Sequence, residues 1–239
     1  MPLPKKITPS PLIVSTVELR FESEFISDNF LSKVFPIFSS ELPKLTPNQI
    51  PVELKSNPDY KDQLEFFPDF TLGNDHYSVG LGKNVINFEN AGDYNLWENY
   101  FPFIQKQLLT FYSLGIISKI NRVGARYGSV FQNCELKNIL RFDPVIPIEG
   151  YVGDFNMSQT NYKQGDYNIL MQLYKAAKID KGGKKFLGAY IDLDCSFTGN
   201  LEPGEHVFKI IDDLHNLQKS MFFEKLLAED FLNTLNPEY

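Results

Sequence analysis

Cysteine is nearly absent. Cys134 and Cys195 are the only two among 239 residues, too few for a disulfide framework or a cysteine-rich zinc site. Cys195 alternates with Ile191 and Leu193, which reads as a small buried apolar residue. Histidine is scarce as well. No two of His76, His206 and His215 have the i, i+4 spacing with an intervening glutamate that a helical zinc site needs. His76 sits beside a turn and reads as solvated; His215, between Leu214 and Leu217, reads as a packed or boundary residue. The chain contains no G-x-x-x-x-G-K-[ST], G-x-G-x-x-G or G-x-S-x-G, which removes the common phosphate-loop, dinucleotide and nucleophile-elbow readings. No run approaches 18 apolar residues without charge, so no transmembrane helix is expected. The opening M-P-L-P-K-K-I-T-P-S-P lacks the continuous apolar segment of a signal peptide, and a cytoplasmic location is expected. Positive charge is the minority, 23 Lys and Arg against 30 Asp and Glu, for a formal net charge of −7. That sign disfavours general binding to nucleic acid or to an anionic membrane.

Apolar and aromatic residues are abundant: 43% of the chain is hydrophobic, with 21 Phe and 12 Tyr, enough to exclude disorder over any long span. The length suits one compact unit built from two halves, 1–134 and 135–239. In the first half, residues 11–23 alternate, with Ile13, Val17, Leu19 and Phe21 on one face and Glu18 and Arg20 on the other. Ser27 can cap a helix from Asp28 carrying Phe30, Leu31 and Val34, which Pro36 should end or kink. Pro43 and Pro47 predict irregular backbone, and 46–62, with Pro51 and Pro58, a surface excursion. Turns at 73–75 and 82–84 separate three short strands between 65 and 89. Asp93 can cap a helix in which Trp97, Phe101, Ile104, Leu108, Phe111 and Tyr112 recur, with Gly115 placed to terminate it.

In the second half, residues 133–145 read as a strand before a proline-containing loop. Segments 155–163, 167–179 and 185–197 read as three more strands, joined by turns at 164–166 and 180–184. The lysines of that last turn have no helix N-terminus behind them, and they read as a hairpin tip rather than a phosphate loop. Pro203 suits the first turn of a long helix to about Leu227, followed by a short one at 229–235. The expected class is α+β: antiparallel sheets packed by helices, the first half approximately ferredoxin-like, the second a meander followed by a long helix.

The stretch that organises these elements is 119–131, K-I-N-R-V-G-A-R-Y-G-S-V-F. As a strand it turns Val123, Ala125, Tyr127 and Phe131 to one face and Arg122, Gly124, Arg126 and Gly128 to the other. Glycine weakens a strand, so two in the arginine row imply a close approach, a bulge or a bend. Asp192 and Asp194 share a face of another strand and provide candidate counter-charges. Glu18, Arg20, Arg122, Arg126, Asp192 and Asp194, with Tyr127 beside them, form the candidate binding or polar layer. A structural array of ion pairs is the first reading of it.

Three groups of residues resemble a sporadically distributed bacterial family of conserved proteins of unknown function. They are P-L-I-V-S-T-V-E-L-R-F at 11–21, Trp97 and Tyr100 leading to R-V-G-A-R-Y at 122–127, and D-L-D at 192–194 followed by Leu214-His215 and F-F-E at 222–224. The family motif continues R-x-G-x-R-Y with an apolar residue and asparagine, where this chain has Gly128 and Ser129. The resemblance implies a bacterial cytoplasmic accessory protein, in a host-defence or mobile-element setting, and no reaction. The expectation is a non-enzymatic binding module, an accessory or regulatory subunit with a protein partner. No cofactor or metal site is assigned, the oligomeric state is open, and enzymatic activity is left undecided. The alternative is a metal-dependent phosphoester hydrolase using Asp192 and Asp194 with Arg122 or Arg126; an RNA-binding module is third.

Overall fold

In the computed structural model the described residues are 2–23, 30–50, 64–91, 93–145, 148–151, 153–181 and 183–239. The elements in chain order are β1 (Leu12–Glu22), α1 (Phe30–Phe38), β2 (Lys44–Pro47), β3 (Phe70–Gly73), β4 (Tyr77–Leu81), β5 (Val85–Asn90), α2 (Trp97–Ser113), β6 (Lys119–Phe131), α3 (Leu136–Ile139), β7 (Met157–Gln164), β8 (Tyr167–Lys181), β9 (Lys184–Leu201), α4 (His206–Ser220), a π-helical stretch (Met221–Leu226) and α5 (Glu229–Asn233). The expected α+β class holds. The strands form one nine-stranded sheet of order β2-β3-β4-β5-β1-β6-β9-β8-β7, antiparallel at the β2–β3, β3–β4, β4–β5, β5–β1 and β7–β8 pairings. Among the described residues no helix is long and apolar enough to cross a membrane. The chain divides into two compact units, each discontinuous in sequence. One holds Thr16–Gly124 and Phe197–Asp212, the other Met1–Ser15, Ala125–Ser196 and Asp213–Tyr239.

In the first unit the alternation of β1 buries Val17, Leu19 and Phe21 and leaves Glu18 and Arg20 half-buried. α1 contributes Val34 and Phe38; Pro36 lies inside the helix, which continues to Phe38, whose ring stacks on Phe111 with centroids 4.7 Å apart. The buried side of α2 is Tyr100, Phe103, Ile104, Gln107, Leu108 and Phe111, a stripe rotated from the one the sequence suggested. The Tyr100 hydroxyl donates to the Phe88 carbonyl at 2.5 Å, which satisfies a fully buried phenol. Two expectations fail here. Asp93 does not cap α2, whose cap position is Leu96 and makes no side-chain cap bond; Asn90 Oδ1 instead accepts from the Asn95 N–H nearby. The backbone around Pro47 is not irregular, since Lys44–Pro47 pairs with β3 as a short exposed strand at the sheet edge, a position where proline is tolerated. The expected cap at Ser27 and helix start at Asp28 lie outside the described residues, as do Pro51 and Pro58.

In the second unit the expected strand at 133–145 is instead a turn and a single helical turn, α3. Leu136, Ile139 and Leu140 are all buried, and their spacing of three and four is helical rather than alternating. The long helix expected to reach Leu227 also differs: α4 ends at Ser220 and runs into the π-helical stretch, closed by the Leu227 N–H donating to Phe222 O at 3.0 Å. The final helix is short. Odd-numbered Ile191, Leu193 and Cys195 of β9 are buried, and α4 packs over the odd face of β6 and β9. Its Gln218, 1% exposed, donates from Nε2 to the carbonyls of Ala125 and Leu193, each at 2.6 Å.

One amide thus ties α4 to two strands at once, and losing it leaves two buried carbonyls without that donor. Gln218→Leu is expected to lower stability by about 2 kcal/mol, from two hydrogen bonds at about 1 kcal/mol each, read as a shift in the urea midpoint.

Candidate functional site

β6 carries the candidate residues, and its glycines have a steric explanation. A Cβ at Gly124 would overlap the Arg122 guanidinium, which folds back over that position. A Cβ at Gly128 would overlap the Tyr190 hydroxyl and sit 2.7 Å from Cζ of the same ring. Of the explanations the sequence left open, close approach applies, and the approaching groups are the protein's own side chains.

In the first unit the structure brings together Glu18, Arg20 and Arg122. Glu18 Oε1 accepts from Arg20 Nε at 2.7 Å and from Arg122 Nη1 at 2.8 Å. The Arg20 guanidinium carbon also lies 4.3 Å from the centre of the Phe66 ring, a cation–π distance. Two arginines therefore converge on one carboxylate oxygen.

In the second unit the structure brings Arg126 to Asp192. Asp192 is 2% exposed. Its Oδ1 accepts from Arg126 Nε at 3.0 Å, and its Oδ2 accepts from Arg126 Nη2 at 2.6 Å and from the Tyr190 hydroxyl at 3.0 Å. The fork geometry is that of a bidentate arginine–carboxylate pair. The hydrogen bond from Arg126 to Asp192 raises the guanidinium pKa against the opposing effect of its own burial, with Tyr190 and Asp194 adding further attraction. Burial, then the Asp192 charge, pushes the Tyr190 phenol up, so it stays protonated and donating. Asp194 is half-buried two residues along β9.

Tyr127 does not share the face of Arg126. It points the other way, where its hydroxyl and His215 Nδ1 form a 2.9 Å hydrogen bond and the rings meet edge to face. Burial, helped by Lys219, pulls the His215 pKa down to about 3, and the imidazole is neutral at physiological pH. Cys195 is buried, and desolvation pushes its thiol up to about 12, which makes it inert. Among the described residues no three His, Cys, Asp or Glu side chains gather in a metal-ligating group.

Tyr190 and Gln218 are the residues sequence reasoning passed over. A signal for Tyr190 existed, since it shares the parity of Asp192 and Asp194 on β9. For Gln218 the signal was a lone amide on the apolar stripe of α4.

No family model matches the chain, and no match was found among curated proteins or solved structures.

Two outcomes follow from this geometry. Arg126→Ala leaves a buried carboxylate with Tyr190 as its remaining donor named above and is expected to cost about 2 to 3 kcal/mol, below the range for fully buried pairs because the arginine is half-exposed. Gly128→Ala, which displaces Tyr190, is expected to cost about 1 to 3 kcal/mol by overpacking. Chemical denaturation measures both, and a change within about 0.5 kcal/mol of wild type, the scale of an ordinary surface substitution, would contradict the reading. His215 gives a pH dependence. The unfolded chain takes up a proton near pH 6.5 and the folded one only near pH 3, so stability falls as pH drops through that window by up to about 1.4 kcal/mol per unit. His215→Phe should flatten the slope between about pH 6.5 and 5.5, above the range where most carboxylates titrate.

Proposed function

We propose that this chain is a non-enzymatic binding module, an accessory or regulatory subunit that works through a protein partner. The observation that carries this reading is the Asp192 carboxylate: it is buried, and both of its oxygens accept hydrogen bonds from Arg126 and Tyr190. A phosphoester hydrolase built on Asp192 would need that carboxylate to turn toward a cation. Doing so would break a bidentate pair and a phenol bond and leave the arginine without its counter-charge. Glu18 is committed in the same manner to Arg20 and Arg122. His215, beside Tyr127, has its proton affinity lowered far below the range in which imidazole is useful near neutral pH. A bacterial cytoplasmic setting, in a host-defence or mobile-element system, is the part of the proposal that rests on the resemblance of 11–21, 122–127 and 192–194 to the family described above.

Tagged full-length chain captured from an extract of its native host, followed by size-exclusion chromatography, is expected to elute with one other polypeptide in integral stoichiometry. A chain that elutes alone and turns over a member of a substrate panel containing phosphomonoesters and phosphodiesters would replace this reading with the enzymatic one.

A further inference from the structure

The charge of this acidic chain is unevenly distributed. Residues 157–188, which cover β7, β8 and the start of β9, hold six lysines and two aspartates. That is a net of +4 in a chain of −7, so the rest carries −11.

Among the described residues the end of the β8–β9 hairpin is also an open edge. The pairing of β7 with β8 ends at Met157↔Tyr174. One further backbone bond, from the Lys175 N–H to Asn156 O at 3.0 Å, and the Lys175–Asp154 ion pair close that corner. β8 then continues to Lys181, and among the described residues no strand lies on its β7 side past Tyr174. One face of this extension is anchored: Ala177, Ile179 and Phe186 pack on the cluster of Ile13, Val130 and Tyr190. By alternation the other face presents Lys178 and Asp180 from β8 and Lys185 and Leu187 from β9. Lys178, Lys184 and Lys185 are exposed, and Leu187 is 57% exposed.

We propose that this edge takes an extended, acidic segment of a partner protein, which adds as a strand beside β8 in line with β7. This rests on the binding-module reading and names its surface. Backbone pairing at an open edge supplies affinity and alternate side chains supply selectivity; here the alternate positions offer ammonium groups and an apolar contact at Leu187. The anchored face pre-orders the ribbon, which lowers the entropic cost of docking. A second copy of this chain is disfavoured at the same edge, because it would bring lysines against lysines. Nucleic acid is a poorer fit. The ribbon has no arginine, and its aromatic Phe186 is packed on the anchored side.

The test is fluorescence anisotropy of the full chain with three probes: a labelled alternating Glu–Val decapeptide, its analogue N-methylated at every second amide, and a 20-nucleotide single-stranded DNA. The Glu–Val peptide is expected to bind, with affinity about tenfold weaker for K178E/K185E and about tenfold weaker for the N-methylated analogue. Absence of saturable peptide binding overturns the proposal. Equal binding of the N-methylated peptide overturns strand addition, and tighter, lysine-dependent binding of the DNA assigns the ribbon to nucleic acid instead. The host partner separates this inference from the reading beneath it. A stoichiometric partner that stays bound to K178E/K185E removes this surface and leaves the binding module standing, whereas a chain with no partner removes both.

Discussion

The close approach of side chains to the glycines of β6 is the constraint on which the polar face depends. Tyr190 can lie across the strand only because position 128 has no Cβ, and from there its hydroxyl reaches Asp192. A glycine inside a strand costs roughly 0.5 to 1 kcal/mol of conformational entropy relative to alanine. A buried carboxylate stripped of a partner costs several times that. The exchange favours glycine at 128, and the same reasoning holds at 124, where the guanidinium of Arg122 needs the space on its way to Glu18.

The opposite face of the same strand follows another logic. There Tyr127 is tied to His215 and the Ala125 carbonyl to Gln218, both on α4. An imidazole held neutral by burial is compatible with an apolar helix–sheet contact, whereas a charged one would require a counter-ion that the contact does not provide. Of the residues that look chemical in the sequence, Arg122 is spent on Glu18 and Arg126 on Asp192, and the proposed recognition surface lies at the margin of the sheet.

Much of the fold was legible because period-two alternation is a local property. β1, β6 and β9 were readable from Ile13 to Phe21, from Val123 to Phe131 and from Ile191 to Cys195, and the turns were marked by Gly115, Gly165 and Gly183, all of which adopt positive φ. Residues 133–145 misled because Leu136, Ile139 and Leu140 form too short a run to separate helical spacing from alternation. The end of α4 misled because a π-helical stretch keeps the same apolar residues as an α-helix and differs only in the span of its hydrogen bonds. For the site, parity assigned each residue to a face, which is why Arg126 and Asp192 could be named as candidate partners. Parity does not say which residue lies beside which across strands. That Arg122 reaches Glu18 and that Tyr190 lies over Gly128 depend on register between distant segments.

The β8–β9 ribbon shows how one segment can be both exposed and well ordered. Tyr174, Ala177 and Ile179 of β8 pack on the apolar cluster of Ile13, Val130 and Tyr190. β8 thus keeps an apolar side beyond the reach of β7, while Lys178 stands exposed along an edge that no strand among the described residues covers. Charge there repels identical chains, while the packed side removes the flexibility that would make an exposed edge costly to engage. An edge with these two properties suits the proposed strand addition, whereas the edge strand β2 is four residues long and ends at Pro47.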